Sequence, residues 1–570
     1  MPNTIRAIAL AALATFTTNI AWSAPDVTTV IAARAAVDRG DWKAAIDPLQ
    51  SLTTQSPMNG EFRLSLARAR YLTDDIAGAE ADYKIAFDLK AEDPAILAAG
   101  IAKCDAQLKR PEDAIQWLQK AVALGYRRVE DARTDDAFAA IRSDPRFRQL
   151  VGLVDSPTRD DGWRGDIRFL ADWVEHKSYH PFKTETGDRY ASGALYTQPE
   201  FEAAVQKLSA DVPKMSDNAI EVALFRLVAS LGDGHSAIEG SRTRLEFAMT
   251  LPLGFYVFDD GLYVVSAAPK YADLVGAKVI ALDGTPTDDA LARLVPLIAH
   301  DNAMWVKAME PHYLRHVPFL KELGIAHSDN AVALTVETAD GRERTVTVDA
   351  DPSQPDIWNA LPKPAGWVAI ADKSTADFQR DTDKPYWWNW NAADGILYVQ
   401  YNKIADDPAQ PLAAFAQALS AAIDEYPVKK LVIDMRNNNG GDTHLNEPLL
   451  WAIAGNAKVN RTGHLYVIIG RRTFSAAMNA VSAFGRYTKA IFVGEPTGGK
   501  PNAPGDETFF TLPYSGIIVN LSDRYWQGSW PDDFADWRAP DLAVPVAFGD
   551  YAAGRDRAID LIRAQPSLAD

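Results

Sequence analysis

Lys430-Leu-Val-Ile-Asp-Met-Arg-Asn-Asn-Asn-Gly-Gly441 is an apolar run that breaks abruptly into polar residues and glycine. The aliphatic half predicts a buried strand over 430–435, and the asparagines and glycines predict the loop that leaves it. Outward from it the pattern repeats. Strands are expected at 396–401, 465–469 and 490–493, and helices at 413–425 and 475–484. Strand, loop, helix and strand in succession predict right-handed crossovers and a largely parallel sheet. In such a sheet the loops at the strand C-termini share one edge and build the binding site. Three of these loops are Asn439-Gly-Gly441, Arg471-Arg-Thr-Phe-Ser-Ala-Ala477 and Glu495-Pro-Thr-Gly-Gly-Lys500. The topology therefore brings glycines, a serine and a lysine to one rim.

Each has a chemical use. Ser475, between a strand end and a helix start, would expose its hydroxyl near free helix N–H groups. A serine hydroxyl is a weak nucleophile and needs a base. A lysine serves if burial disfavours its ammonium form. Gly440 and Gly441 let backbone approach a substrate and offer N–H donors to an oxyanion. Each also has a plainer reading: a helix-capping serine, an exposed turn lysine, a tight turn. Gly498-Gly-Lys500 lacks the rest of a phosphate loop, so no nucleotide site is read there.

Several motifs, in order, resemble those of the tail-specific (C-terminal-processing) serine peptidases. Val432-Ile-Asp-Met-Arg-Asn-Asn-Asn-Gly-Gly441 is similar to their Asp-Leu-Arg-x-Asn-x-Gly-Gly signature. Thr473-Phe-Ser-Ala-Ala477 resembles their nucleophile segment, and Val493-Gly-Glu-Pro-Thr-Gly-Gly-Lys500 the segment carrying their lysine. Gly232-Asp-Gly-His-Ser236, Leu512-Pro-Tyr-Ser-Gly516, Pro540-Asp541 and Gly554-Arg-Asp556 follow the same pattern, and the likeness runs from about residue 165 to the end. The resemblance implies Ser475 as nucleophile and Lys500 as base. It implies an oxyanion hole from Gly440 or Gly441 with the Ala476 N–H. Unfolded or C-terminally exposed polypeptides would be the substrates, with no metal or organic cofactor. Two departures matter. Ser475-Ala-Ala-Met478 replaces the usual Ser-Ala-Ser-Glu, and Arg486 stands where an acidic residue often follows. The Asp-Gly-His element resembles a tricorn-like branch in which histidine is the base, so His235 is a rival to Lys500. The altered segment leaves a second function open, that of a catalytically weak or inactive member binding a peptide or ligand.

The rest of the chain is expected to be multidomain: all-α helical repeats, then an α/β (α+β) protease core with a PDZ-like β-rich module. Over 25–155, Gly40-Asp-Trp-Lys-Ala-Ala-Ile46, Asp75-Ile-Ala-Gly-Ala-Glu-Ala81 and Lys109-Arg-Pro-Glu-Asp-Ala-Ile115 align, and Ala45, Glu80 and Ala114 fall 35 and 34 residues apart. That period resembles the tetratricopeptide repeat, which implies a surface for a protein adaptor. Residues 160–240 read as helical. Within 245–350, the runs Leu253-Gly-Phe-Tyr-Val257, Leu262-Tyr-Val-Val265 and Lys278-Val-Ile-Ala-Leu282, a helix from Thr287 and two later strands resemble a PDZ-like module, with 296–328 as an insertion. Residues 351–390 read as an irregular linker, and 391–570 as the catalytic core.

Residues 1–23 read as a signal peptide. Arg6 precedes an apolar 7–16, and Ala21-Trp-Ser23 supplies small residues for cleavage. Export to a periplasm or beyond is expected. No later run reaches the ~20 apolar residues of a membrane helix, so no stable membrane insertion is expected. Net charge is −18 over 570 residues, which disfavours nucleic acid as a partner. The single cysteine, Cys104, cannot form an internal disulfide and reads as a buried helix residue. His312 with His316, and His176 with His180, have helical spacing but no third ligand, so no metal site is read. Trp526, Trp530 and Trp537 read as core or lid packing, with a groove wall as the alternative.

Overall fold

The computed structural model describes residues 27–124, 126, 129–151, 158–184, 193–241, 248–353 and 364–566. The expected signal segment, 1–23, lies outside the described residues. The chain divides into two units, 1–155 and 156–570.

In the first unit six helices follow in sequence, each packed on the next: α1 (Val27–Asp38), α2 (Trp42–Gln55), α3 (Gly60–Tyr71), α4 (Ile76–Asp88), α5 (Pro94–Gln107) and α6 (Pro111–Ala123). Their starts are written in the sequence. Asp41, Asn59, Asp75 and Asp93 each accept an N–H from the first turn that follows, worth about 1 kcal/mol per cap. Ala45, Glu80 and Ala114 are all buried, on α2, α4 and α6. Glu80 carries a carboxylate where its counterparts carry a methyl group, and Lys84 and Arg110 pair with it. Cys104 is buried in α5, where burial pushes its thiol up to about 12 and keeps it protonated. Two short helices, α7 (Val129–Thr134) and α8 (Pro145–Leu150), complete the unit.

The second unit opens with α9 (Arg159–Lys177), α10 (Gln198–Asp211) and α11 (Asp217–Ala229). Beyond α11, Gly232 has φ +71°, and a Cβ there would lie 2.0 Å from the Gly193 carbonyl carbon, so only glycine fits. β1 (Ala237–Ser241) follows. A β-rich module comes next: β2 (Leu253–Phe258), β3 (Gly261–Ala267), β4 (Lys278–Leu282), β5 (Thr285–Pro286), α12 (Thr287–Leu294), α13 (Ala303–Tyr313), α14 (Val317–Glu322), β6 (Ala331–Glu337), β7 (Glu343–Asp349) and β8 (Val368–Ala369). Its strands pair antiparallel in the order β2-β3-β4-β6-β7, with β5 on β4 and β8 on β3. The insertion is therefore helical: it holds α13 and α14.

The final sheet joins β9 (Tyr386–Asn391), β10 (Ile396–Tyr401), β11 (Lys430–Asp434), β12 (Leu465–Ile469), β13 (Ile491–Gly494) and β16 (Leu542–Ala543) in the order β16-β13-β12-β11-β10-β9. All its pairs are parallel except β9 with β10. β9 corrects the expectation that 351–390 is irregular throughout. Trp388 and Trp390 join one core and Trp387 the other, so β9 opens with aromatics on both faces, and Asn389 and Asn391 alternate with tryptophan only in its second half. The same period of two divides the inner strands. Leu397, Val399, Leu431, Ile433 and Val467 face α15 (Leu412–Glu425), α16 (Glu447–Ala454) and α17 (Ala476–Tyr487). Tyr398, Val432, Tyr466 and Ile468 face α19 (Arg557–Ala564), which follows the short α18 (Phe548–Ala552). A hairpin of β14 (Asn502–Thr511) and β15 (Ile517–Gln527) pairs with β1.

The Asp-Met-Arg of the opening stretch braces this sheet. Arg436 lies 2.8 Å from buried Asp434 and 2.7 Å from Asp556, whose carboxylate caps α19. No helix among the described residues is long and apolar enough to cross a membrane.

Candidate active site

β12 ends at Ile469, and Ser475 then stands immediately before α17 with φ +53° and ψ −130°. The helix thus begins one residue later than expected, because Ser475 itself has left-handed φ. Such a backbone costs about 1–3 kcal/mol and persists only where its surroundings hold it. Here they do. The Thr473 hydroxyl donates to the Met435 carbonyl at 2.9 Å, and the Phe474 N–H donates to the Asn438 carbonyl at 3.2 Å. Arg471 forks onto Glu495 at 2.9 and 2.6 Å, tying the serine loop to the loop after β13.

Gly440 packs against this turn. It has φ +109°, and a Cβ on it would lie 3.0 Å from the Ala476 nitrogen. Gly441 has φ +136°, and a Cβ there would meet the Ile404 carbonyl oxygen at 2.0 Å. The Gly440 N–H donates to Asn438 Oδ1 at 2.9 Å. The Gly441 and Ala476 N–H groups donate to no other group among the described residues.

A cleft of ≈ 300 Å³ gathers Ser475, Ala476, Gly441, Lys500, His235 and Asp301, with β14 and Trp526 along its wall. His235 comes from the turn after α11, where the Asp233 carboxylate accepts the N–H groups of His235 (3.0 Å) and Ser236 (2.7 Å). Its side chain sits in a residue only 8% exposed, its ring stacks on Phe474 at 4.4 Å, and its Nδ1 has no hydrogen-bond partner among the described residues. Lys500 differs from its expected burial. Its side chain is 24% exposed and its ammonium lies 3.7 Å from Asp536. No hydrogen bond joins it to Ser475 among the described residues.

Asp301 was missed in the sequence. Its carboxylate accepts the N–H groups of Gly234 (2.8 Å) and Lys500 (3.4 Å), and burial raises its pKa while His235 and Lys500 pull the other way. It lies in the insertion and belongs to no motif, so only tertiary structure reveals it.

The other sequence candidates lie elsewhere. A separate cavity of ≈ 60 Å³ holds Arg436, Arg471 and Arg555, with Asp556, Glu495 and Asp550 as their partners. The His312 and His316 rings stand 5.2 Å apart, and burial beside Arg315 lowers His316 to about 3, which keeps it neutral. His176 bonds the Asp172 carbonyl through Nδ1, and the His180 ring lies on Tyr179. Among the described residues no group of three or more His, Cys, Asp or Glu is placed to hold a metal ion. Trp530 and Trp537 correct the expectation of core packing and leave the lid reading untested. Both are exposed, and Trp530 lies under the Arg486 guanidinium at 4.8 Å, a polar cover that needs no core.

No family model matches the sequence, and no curated protein matches it. Among solved structures the chain is similar to mature CPAF, at 15% identity and TM-score 0.49 over 71% of this chain and 96% of that one. It is similar to the photosystem II D1 C-terminal processing protease at 16% identity and TM-score 0.33, over 70% and 99%. It is similar to the tricorn protease at 13% identity and TM-score 0.34, over 70% of this chain and 36% of that one. Similarities at this level leave the chemistry to rest on the geometry of the cleft itself.

Proposed function

We propose that the chain is a serine-type peptidase of the tail-specific kind, with Ser475 as nucleophile and unfolded or C-terminally exposed polypeptides as substrates. The observation that carries this reading is a serine held at φ +53° at the head of a helix, on a cleft it shares with a buried imidazole. A capping serine needs no such backbone. Two idle N–H groups beside it, on Gly441 and Ala476, suit the charge of an oxyanion. Gly440 is the weaker choice, because Asn438 already engages its N–H.

For the base we favour His235, buried with its Nδ1 unpartnered among the described residues, over Lys500, whose ammonium lies 3.7 Å from Asp536; no hydrogen bond joins either to Ser475 among the described residues. In this mechanism Ser475 Oγ bonds to the substrate carbonyl carbon while His235 takes the hydroxyl proton. His235 then returns that proton to the departing amine as the C–N bond breaks. Water attacks the resulting ester, loses a proton to His235, and Ser475 leaves with that proton as a free hydroxyl. The export expected from 1–23 would place this chemistry outside the cytoplasm, and the helical first unit would recruit substrate or an adaptor.

A fluorophosphonate probe and an unfolded test protein check the reading. Wild type should take the label and cut the protein, and Ser475→Ala should do neither. His235→Ala should slow both by roughly 10²–10⁴-fold. A wild type that neither labels nor cuts would make the cleft a ligand-binding site.

A further inference from the structure

Asp301, Asn302 and Trp305 all lie in the 296–328 insertion, a stretch expected to interrupt the β-rich module. Instead they reach the loops of the cleft. Asp301 holds the Gly234 and Lys500 N–H groups. Asn302 Oδ1 accepts the N–H groups of Met304 (2.9 Å) and Trp305 (3.1 Å), capping α13. Its amide donates to the carbonyls of Thr497 (3.2 Å) and Asp536 (2.6 Å). The first turn of α13 is thereby fixed against the loop that carries Lys500 and the turn that carries His235.

Trp305 uses that anchorage. Its ring lies flat on Phe474, with centroids 4.0 Å apart and planes within 14°. The His235 ring is stacked on the same phenyl ring at 4.4 Å and 29°. Two rings cannot both stack on one face at these distances, so Phe474 lies between them. Glycines clear the space. A Cβ at Gly234 would lie 2.7 Å from Phe474 Cζ, one at Gly498 would lie 2.9 Å from Trp305 Cε3, and one at Gly499 would lie 3.3 Å from Phe474 Cδ2. The glycines of the Asp-Gly-His and Gly-Gly-Lys motifs thus make room for a three-ring stack.

We propose that Trp305 is a positioning residue: pressing on Phe474, it holds the His235 imidazole and the left-handed backbone of Ser475 in working register. This rests on the roles given to Ser475 and His235 above. Phe474 is covalently next to the strained residue and is buried, so a shift of its ring is passed to Ser475 on one side and His235 on the other. The insertion then belongs to the site and would couple the β-rich module to it.

The test compares Trp305→Leu with Trp305→Phe in the full chain, with thermal unfolding as the check on folding. Should the leucine variant not fold, Trp305→Met fills the slot without a flat ring. One readout is independent of activity: the His235 ring-proton resonance, which the ring current of Phe474 displaces. It should move in Trp305→Leu and return in Trp305→Phe. Fluorophosphonate labelling and kcat should fall roughly 10- to 100-fold with KM unchanged, and phenylalanine should recover most of that loss. An unmoved resonance, or a moved one with labelling within about twofold of wild type, overturns the role of Trp305. A moved resonance in a protein whose wild type takes no label keeps the stack and sinks the peptidase reading instead.

Discussion

Gly440 and Ser475 stand back to back: a Cβ on Gly440 would lie 2.7 Å from the Cβ of Ser475. Real Cβ atoms do not approach that closely, and the φ of +109° at Gly440 already excludes a side chain without strain. Gly440→Ala should therefore displace the serine and the neighbouring Gly441 N–H together. Loss of an oxyanion donor costs about 2.7–4 kcal/mol in the barrier. The labelling rate should fall by at least that equivalent while far-UV circular dichroism stays native. A variant that labels at the wild-type rate would show that the contact has no bearing on Ser475.

Lys500 offers the opposite expectation. Its ammonium is part-exposed and faces Asp536 at 3.7 Å, an ion pair of small worth in solvent. Lys500→Met should keep Ser475 labelling within roughly threefold of wild type, since an exposed pair contributes only about 0–1 kcal/mol. A loss as deep as that of His235→Ala would return the lysine to the role of base.

How far these relationships could be read in advance depends on their range in the chain. The parallel sheet was legible because β10, β11 and β12 are short aliphatic runs separated by helix and loop signals. That the loops after β11, β12 and β13 share a rim was legible too, because strand direction settles it, and Gly441, Ser475 and Lys500 do line one cleft. The direction of a side chain was not. Nothing near Lys500 in sequence announces Asp536, and nothing near Phe474 announces Trp305, which stacks on it from α13. The strand β9 was hidden for a different reason. Tyr386 to Trp388 are three adjacent aromatics, so the alternation of Trp388 and Trp390 with Asn389 and Asn391 is confined to the second half of the strand.

Arg471 and Glu495 form a nearly buried bidentate pair, with side chains 3% and 9% exposed. Arg471 also donates to the Val257 carbonyl, joining β2 to the serine loop. Removing Arg471 leaves Glu495 only the more distant Lys307, 4.0 Å away, at a cost of up to about 3–5 kcal/mol. Arg471→Met should lower the denaturation midpoint of the full chain accordingly. Arg471→Met with Glu495→Leu should recover part of the loss, because no lone charge is left. Equal stability of the single and double variants would show that Glu495 finds another partner.

Glu310, on α13 near Arg471 and Lys307, gives the pH dependence. Burial raises its carboxyl from the usual 4.5 to about 7, against the pull of those two cations. The folded chain therefore holds this proton more tightly than the unfolded chain does. The resulting stability is complete below pH 4.5 and is lost as pH rises through about 7, where the folded state must carry the charge. Glu310→Gln cannot titrate and escapes that loss. Its Tm relative to wild type should rise between about pH 5 and pH 8 and level off beyond, measured on the full chain at constant ionic strength. Because α13 carries both Glu310 and Trp305, ionisation above pH 7 should also loosen the helix that supports the ring stack. Parallel Tm curves for wild type and Glu310→Gln across that range would show that the carboxyl keeps its ordinary titration.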